Sequence, residues 1–109
     1  MNKGLSLLLS AVAVSAFATS AHADINKGQK AYLKQCKNCH GNGTKGAGMH
    51  TQDEWAELFE DDAALIIEKH AGTKADKYFG GESFKKLAPD LKDFLFHYGS
   101  DSGNVPSCG

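Results

Sequence analysis

The chain of 109 residues contains no arginine; all twelve of its basic residues are lysine. That removes the planar, bidentate clamp with which proteins grip phosphate and carboxylate groups. The formal net charge is only −1, and subtracting Lys3 with the leader described below takes it from −1 to −2. A chain of that balance has no electrostatic footprint for nucleic acid. Proline is equally scarce, with two residues, Pro89 and Pro106. No stretch of useful length alternates polar and apolar residues as a half-buried strand does, and there is no internal repeat. Beyond the initiator, methionine occurs once, at Met49.

The one long apolar run lies at the beginning. Lys3 supplies a positive charge, Leu5 to Ala18 are small and apolar, and Ala21-His22-Ala23 has the small-x-small form of a signal-peptidase site. Once its small residues are discounted the run is too short to span a bilayer, so a signal peptide is expected over residues 1–23. No cysteine follows the cleavage site directly, which speaks against a lipid anchor. The mature chain, residues 24–109, then forms one small domain, exported and not membrane-spanning. A domain this small buries little apolar surface, so a bound group that joins its core would help it fold.

Helical periodicity dominates the remainder. Asp24 is a cap, and Ile25, Tyr32, Leu33 and Cys36 recur at helical spacing, predicting a first helix to about residue 39. Residues 41–50 hold four glycines and read as a loop. Thr51 with Asp53 and Glu54 opens a short helix whose apolar face is Trp55, Leu58 and Phe59. A further helix covers Ala63 to His70, ended by Ala71-Gly72. Thr73 to Gly81 reads as a loop, and Phe84 and Leu87 as a short turn. Pro89 at a first helical position opens a last helix carrying Leu91, Phe94, Leu95 and Tyr98, which Gly99 closes. From about residue 100 the tail is irregular.

The chemistry concentrates in Cys36-Lys37-Asn38-Cys39-His40. Two thiols at this spacing can each bond one vinyl group of a haem, and the histidine that follows becomes an axial iron ligand. Attachment after export agrees with the leader. Two other uses of the motif need different surroundings. A thioredoxin-like redox pair follows a strand in a parallel sheet, and none is visible. A zinc site needs a further ligand, for which Cys108 is available but remote. Cys108 is otherwise a free thiol or one half of an intermolecular disulfide.

Around this motif the sequence resembles the small bacterial class I, monohaem cytochromes c, over most of residues 25–99. The matches are Gly28-x-x-x-Tyr32, Cys36-x-x-Cys39-His40-Gly41, Gly46-Ala47, Trp55 and Leu91-x-x-Phe94-Leu95. The resemblance implies an all-α, cytochrome c-like fold of about four helices packed around one covalent haem. It implies that the first and last helices cross at Gly28, with Gly28 and Tyr32 meeting Phe94 or Tyr98. It also suggests that the Trp55 indole donates to a haem propionate.

One family feature is missing. Class I members present a methionine to the iron from the loop before the last helix, and here that loop, Gly72 to Phe84, has none. Met49 lies nine residues after His40, within a reach of roughly 30 Å, and is taken as the sixth ligand. In the family its stretch lies on the His40 side, so it would have to cross to the opposite face; its other role is that of a flexible filler beside the haem. His70, His50, Lys74 or Lys77 are the alternatives, as is an open position, while His97 lies off the apolar stripe of its helix. Lys27, Lys30, Lys34 and Lys37 form a docking patch or simply a solvated helix face. The resulting expectation is a monomeric, non-enzymatic periplasmic protein shuttling single electrons between redox partner proteins, soluble or membrane-bound. The alternative is a haem protein that binds or senses NO or O₂ at an open or weakly held position.

Overall fold

In the computed structural model, which describes residues 23–107, Asp24 caps the first helix as its position predicts. Its carboxylate accepts from the amides of Asn26 and Lys27 at 2.9 and 3.2 Å. The leader, save its last residue, and Cys108 lie outside the described residues. Among the described residues the chain is entirely helical, in the order α1 (Ile25–Gln35), α2 (Lys37–His40), α3 (Gly43–Ala47), α4 (Gln52–Leu58), α5 (Glu60–His70), α6 (Asp76–Phe79) and α7 (Glu82–His97). The all-α expectation holds. Three of the seven segments, α2, α3 and α6, are single turns; α2 falls at the end of the first helix expected to about residue 39, and α3 and α6 fall where loops were expected.

The frame is the crossing of α1 and α7, the most extensive helix contact in the molecule. It forms where Gly28 lies against the backbone of Asp90. A Cβ at Gly28 would sit 2.0 Å from the Asp90 carbonyl oxygen and 2.8 Å from Cβ of Phe94, so no side chain fits. Tyr32 packs on Phe94 with ring centres 5.7 Å apart, and Phe94 on Tyr98 at 5.3 Å. The meeting of Gly28 and Tyr32 with Phe94 is therefore as the resemblance implied. A hydrogen bond from the Asp24 amide to the Asp90 carboxylate, 2.7 Å, ties the same two helices together at the start of α1.

The last helix begins earlier than Pro89 suggested. α7 starts at Glu82, and Pro89 sits inside it. An interior proline forfeits one backbone hydrogen bond and crowds the preceding turn. Here the apolar stripe outweighs that cost: Phe84, Leu87, Leu91, Phe94 and Leu95 keep one helical period across the proline. Phe84 and Phe94 are fully buried, and α7 packs on α1, α3, α4, α5 and α6.

α4 begins with a complete capping box: the Thr51 hydroxyl accepts from the Glu54 amide and the Glu54 carboxylate from the Thr51 amide. α5 contains a kink in which Asp61, Asp62 and Ala63 have φ of 54°, 56° and 63°, a left-handed turn that aspartate tolerates better than most residues. Buried Ala63 anchors it, and the right-handed stretch that follows is the helix expected over Ala63 to His70. The tail is irregular, as predicted, yet bonded down. Ser100 donates its amide to the His50 carbonyl at 2.9 Å, Asp101 accepts from the Gln52 amide at 2.8 Å, and Ser107 accepts from the Gln29 side chain at 3.1 Å.

Candidate functional site

The first helix does not run on to residue 39. It stops at Gln35, and the chain rewinds through one turn, with the Cys36 carbonyl accepting from the amides of both Cys39 (3.2 Å) and His40 (3.0 Å). That turn gathers Cys36, Cys39 and His40 at one place. Gly41 follows with φ 85°, a backbone state that a side chain would strain. Tyr32 then reaches over from α1 and donates its hydroxyl to the Gly41 carbonyl at 2.7 Å, with the Asn42 carbonyl at 3.2 Å. The same ring presses on Gly46, where a Cβ would collide with it. Replacing Tyr32 by phenylalanine should therefore leave the part-buried Gly41 and Asn42 carbonyls short of a donor. A loss of about 1–2 kcal/mol in denaturant unfolding of the haem-loaded protein is expected, with an unchanged midpoint contradicting it.

Cys36 is half-buried and Cys39 exposed. Burial, and secondarily the neighbouring Cys39, pushes the Cys36 thiol up to about 11. A thiol that stays protonated at neutral pH is a poor thiol–disulfide nucleophile. Among the described residues no strand accompanies the motif, so a thioredoxin-type use fits neither the fold nor the chemistry. Nor do the described residues contain a group of three or more His, Cys, Asp or Glu able to hold a metal ion, as a structural zinc site would require.

Cys36, Cys39 and His40 open instead into a mostly apolar cleft of about 420 Å³. Tyr32 lines it from α1, Trp55 and Leu58 from α4, Phe59 from the junction of α4 and α5, Ile66 and His70 from α5, and Leu91 and Leu95 from α7. Burial, then the neighbouring His70, holds the His40 imidazole below its ordinary pKa. The ring is thereby kept neutral, the state that binds a metal. At the edge of this core the buried Tyr78 hydroxyl has no hydrogen-bond partner. Burial, and then proximity to Cys36, raises its pKa, so it stands there as an unmatched donor. Two thiols, an imidazole and an apolar cleft fit a covalently bound haem.

The other residues singled out from the sequence divide by position. Trp55 lines the cleft, but its indole N–H donates to the Ala47 carbonyl at 2.8 Å. What it offers a bound group is ring surface, in place of the propionate hydrogen bond suggested by resemblance. Met49 also lines the cleft, with 44 % of its surface exposed. His50 is engaged on the near side, its Nδ1 3.5 Å from the Glu54 carboxylate and its ring edge-on to Trp55. Lys74 reaches the cleft and Lys77 does not line it; His97, exposed, packs on Tyr98. His70 faces His40, the two ring centres 6.1 Å apart. Phe79, unremarked in the sequence because it lies in an apparent loop, stacks on the His70 ring at 4.1 Å. Its signal was an aromatic pair, Tyr78-Phe79, in an otherwise polar segment.

Fold and site together define a small all-helical protein with a covalent-attachment motif at the wall of an apolar cleft. The sequence profile of the Cytochrome c family matches residues 25–94, and the chain belongs to that family. Membership indicates a haem-binding electron-transfer protein with a covalently bound c-type haem. No curated protein and no solved structure matches the chain.

Proposed function

We propose that this protein is a periplasmic monohaem cytochrome c that shuttles single electrons between redox partner proteins and transforms no substrate. The observation that carries the reading is the convergence of Cys36, Cys39 and His40 on one mostly apolar cleft. The haem supplies a one-electron couple at its iron; the protein sets where that couple lies and who can reach it. Cys36 and Cys39 would hold the haem through its vinyl groups, and His40 would ligate its iron. Trp55, Phe59, Leu91 and Leu95 limit water, which lowers the local dielectric and tunes the potential.

Export rests on the leader, Lys3 to Ala23, and among the described residues no helix is long and apolar enough to cross a membrane. Lys27, Lys30, Lys34 and Lys37 are all exposed on α1 and α2, beside the attachment turn, and would steer an acidic partner toward it. The small-ligand reading prompted by the absent loop methionine is not favoured: it has no residue of its own behind it. Protein-film voltammetry of the haem-loaded chain tests the proposal. A reversible one-electron wave is expected, with exchange rates to a soluble acidic partner falling as salt rises. An irreversible or absent wave would count against an electron shuttle.

A further inference from the structure

We propose that His70 is the second axial ligand of the iron, opposite His40, an inference that rests on the haem reading above. The spacing is the first reason. A metal–imidazole bond is about 2 Å long and a ring nitrogen lies about 1.1 Å from its ring centre, so two imidazoles in line through one metal have centres about 6 Å apart. His40 and His70 have centres 6.1 Å apart across the cleft, with planes turned by 84°. Each ring needs only to hold the metal in its own plane, so the pair is free to twist about the common axis.

The second reason is the state of the ring. Nδ1 of His70 lies 2.7 Å from the Ile66 carbonyl oxygen. A carbonyl only accepts, so Nδ1–H is the donor, and the neutral tautomer compatible with that bond has its lone pair on Nε2. This is the outer-shell hydrogen bond by which proteins orient ligating histidines. The ring is also held from behind, stacked on Phe79 at 4.1 Å with planes 21° apart. Thr73 donates its hydroxyl to the His70 carbonyl at 2.7 Å and pins the end of α5. Met49 has no comparable restraint and is 44 % exposed.

Two histidines predict a lower potential than a histidine–methionine pair, since methionine raises it. The test uses the full haem-loaded protein. The wild-type protein is expected to be low-spin in both oxidation states, unreactive to carbon monoxide, and without a sulfur-to-iron charge-transfer band or an upfield-shifted methionine methyl in its ferrous proton NMR spectrum. A methionine methyl in that position, or a high-spin wild-type spectrum, would overturn the proposal without any variant. H70A is expected to become high-spin and to bind carbon monoxide, H70M to acquire the sulfur band and a raised potential, and M49A to keep the low-spin wild-type spectrum. Retention of the wild-type spectrum by H70A, or its loss in M49A, would overturn it. Covalent haem shown by mass and a reversible wave would stand in either case, so failure of the ligand assignment is separable from failure of the haem reading.

Discussion

Gly28→Ala is expected to destabilise the protein by about 2 kcal/mol or more, although alanine is the better helix former. Two effects oppose each other. Alanine in place of glycine inside a helix gains up to about 1 kcal/mol. Against this, the new methyl would lie 2.0 Å from the Asp90 carbonyl oxygen and 2.8 Å from the Phe94 Cβ. Both are parts of α7 that cannot swing aside, so the helices must separate, and overpacking of this kind costs about 1–3 kcal/mol and sometimes more. Separation also loosens Tyr32 from Phe94 and so disturbs the turn that carries the cysteines. The clash outweighs the propensity. At about 4–8 °C per kcal/mol for a domain of this size, Tm should fall by roughly 10 °C or more, with exposed Lys30→Ala in the same helix nearly neutral. A Gly28→Ala protein as stable as wild type would mean that the crossing is looser than the contact distances imply.

The second large effect concerns the coupling of cofactor to fold. A Cys36→Ala/Cys39→Ala double variant should lack covalent haem and also lose much of its helix content at room temperature. The cleft is about 420 Å³, and an unfilled apolar cavity costs about 24 cal/mol per Å³, which gives roughly 10 kcal/mol. That figure is an upper bound because the cleft opens to water, yet it is comparable to the whole stability of a small domain, about 5–15 kcal/mol. Trp55, Phe59, Ile66, Leu91 and Leu95 line the cleft and would lose the apolar surface that a haem presents to them. Circular dichroism and thermal unfolding of the haem-free variant provide the check. Full helicity with a cooperative transition near that of the wild type would contradict the idea that the bound group completes the core.

Much of this organisation could be read before the coordinates. The attachment cluster is local, its spacing carries its chemistry, and it ends at a glycine that the backbone requires at φ 85°. The Gly28 crossing was legible through its family pattern, and the Thr51–Glu54 cap through its spacing alone. Where local rules misled, tertiary packing had overridden them. Pro89 looked like a helix start, but the stripe from Phe84 to Leu95 continues across it and buries too much apolar surface to break. The Gly43–Ala47 turn was hidden by glycines, of which Gly46 is there to admit the Tyr32 ring. The Trp55 indole looked free for the cofactor until the Ala47 carbonyl was seen to accept from it.

The far side of the cleft was the least legible part. His70 is thirty residues from His40 in sequence, and nothing local distinguishes it from a histidine placed to favour a helix C-terminus. The approach of its ring to His40 and the Phe79 ring stacked behind it set it apart, with the Ile66 carbonyl on Nδ1 adding a local contact that periodicity does not report. Periodicity reports which face of a helix is buried. It does not report which buried groups from separate helices end up in line.

The central claim, one haem covalently held by Cys36 and Cys39, is tested most directly by mass. The protein should be matured in a host able to attach c-type haem, then measured intact and as its Glu-C peptides, Glu54 being the first glutamate in the chain. The account predicts one haem increment per chain, located on the peptide containing Cys36 and Cys39. A chain at its bare polypeptide mass, or one whose Cys36 and Cys39 are joined as a disulfide, would contradict it.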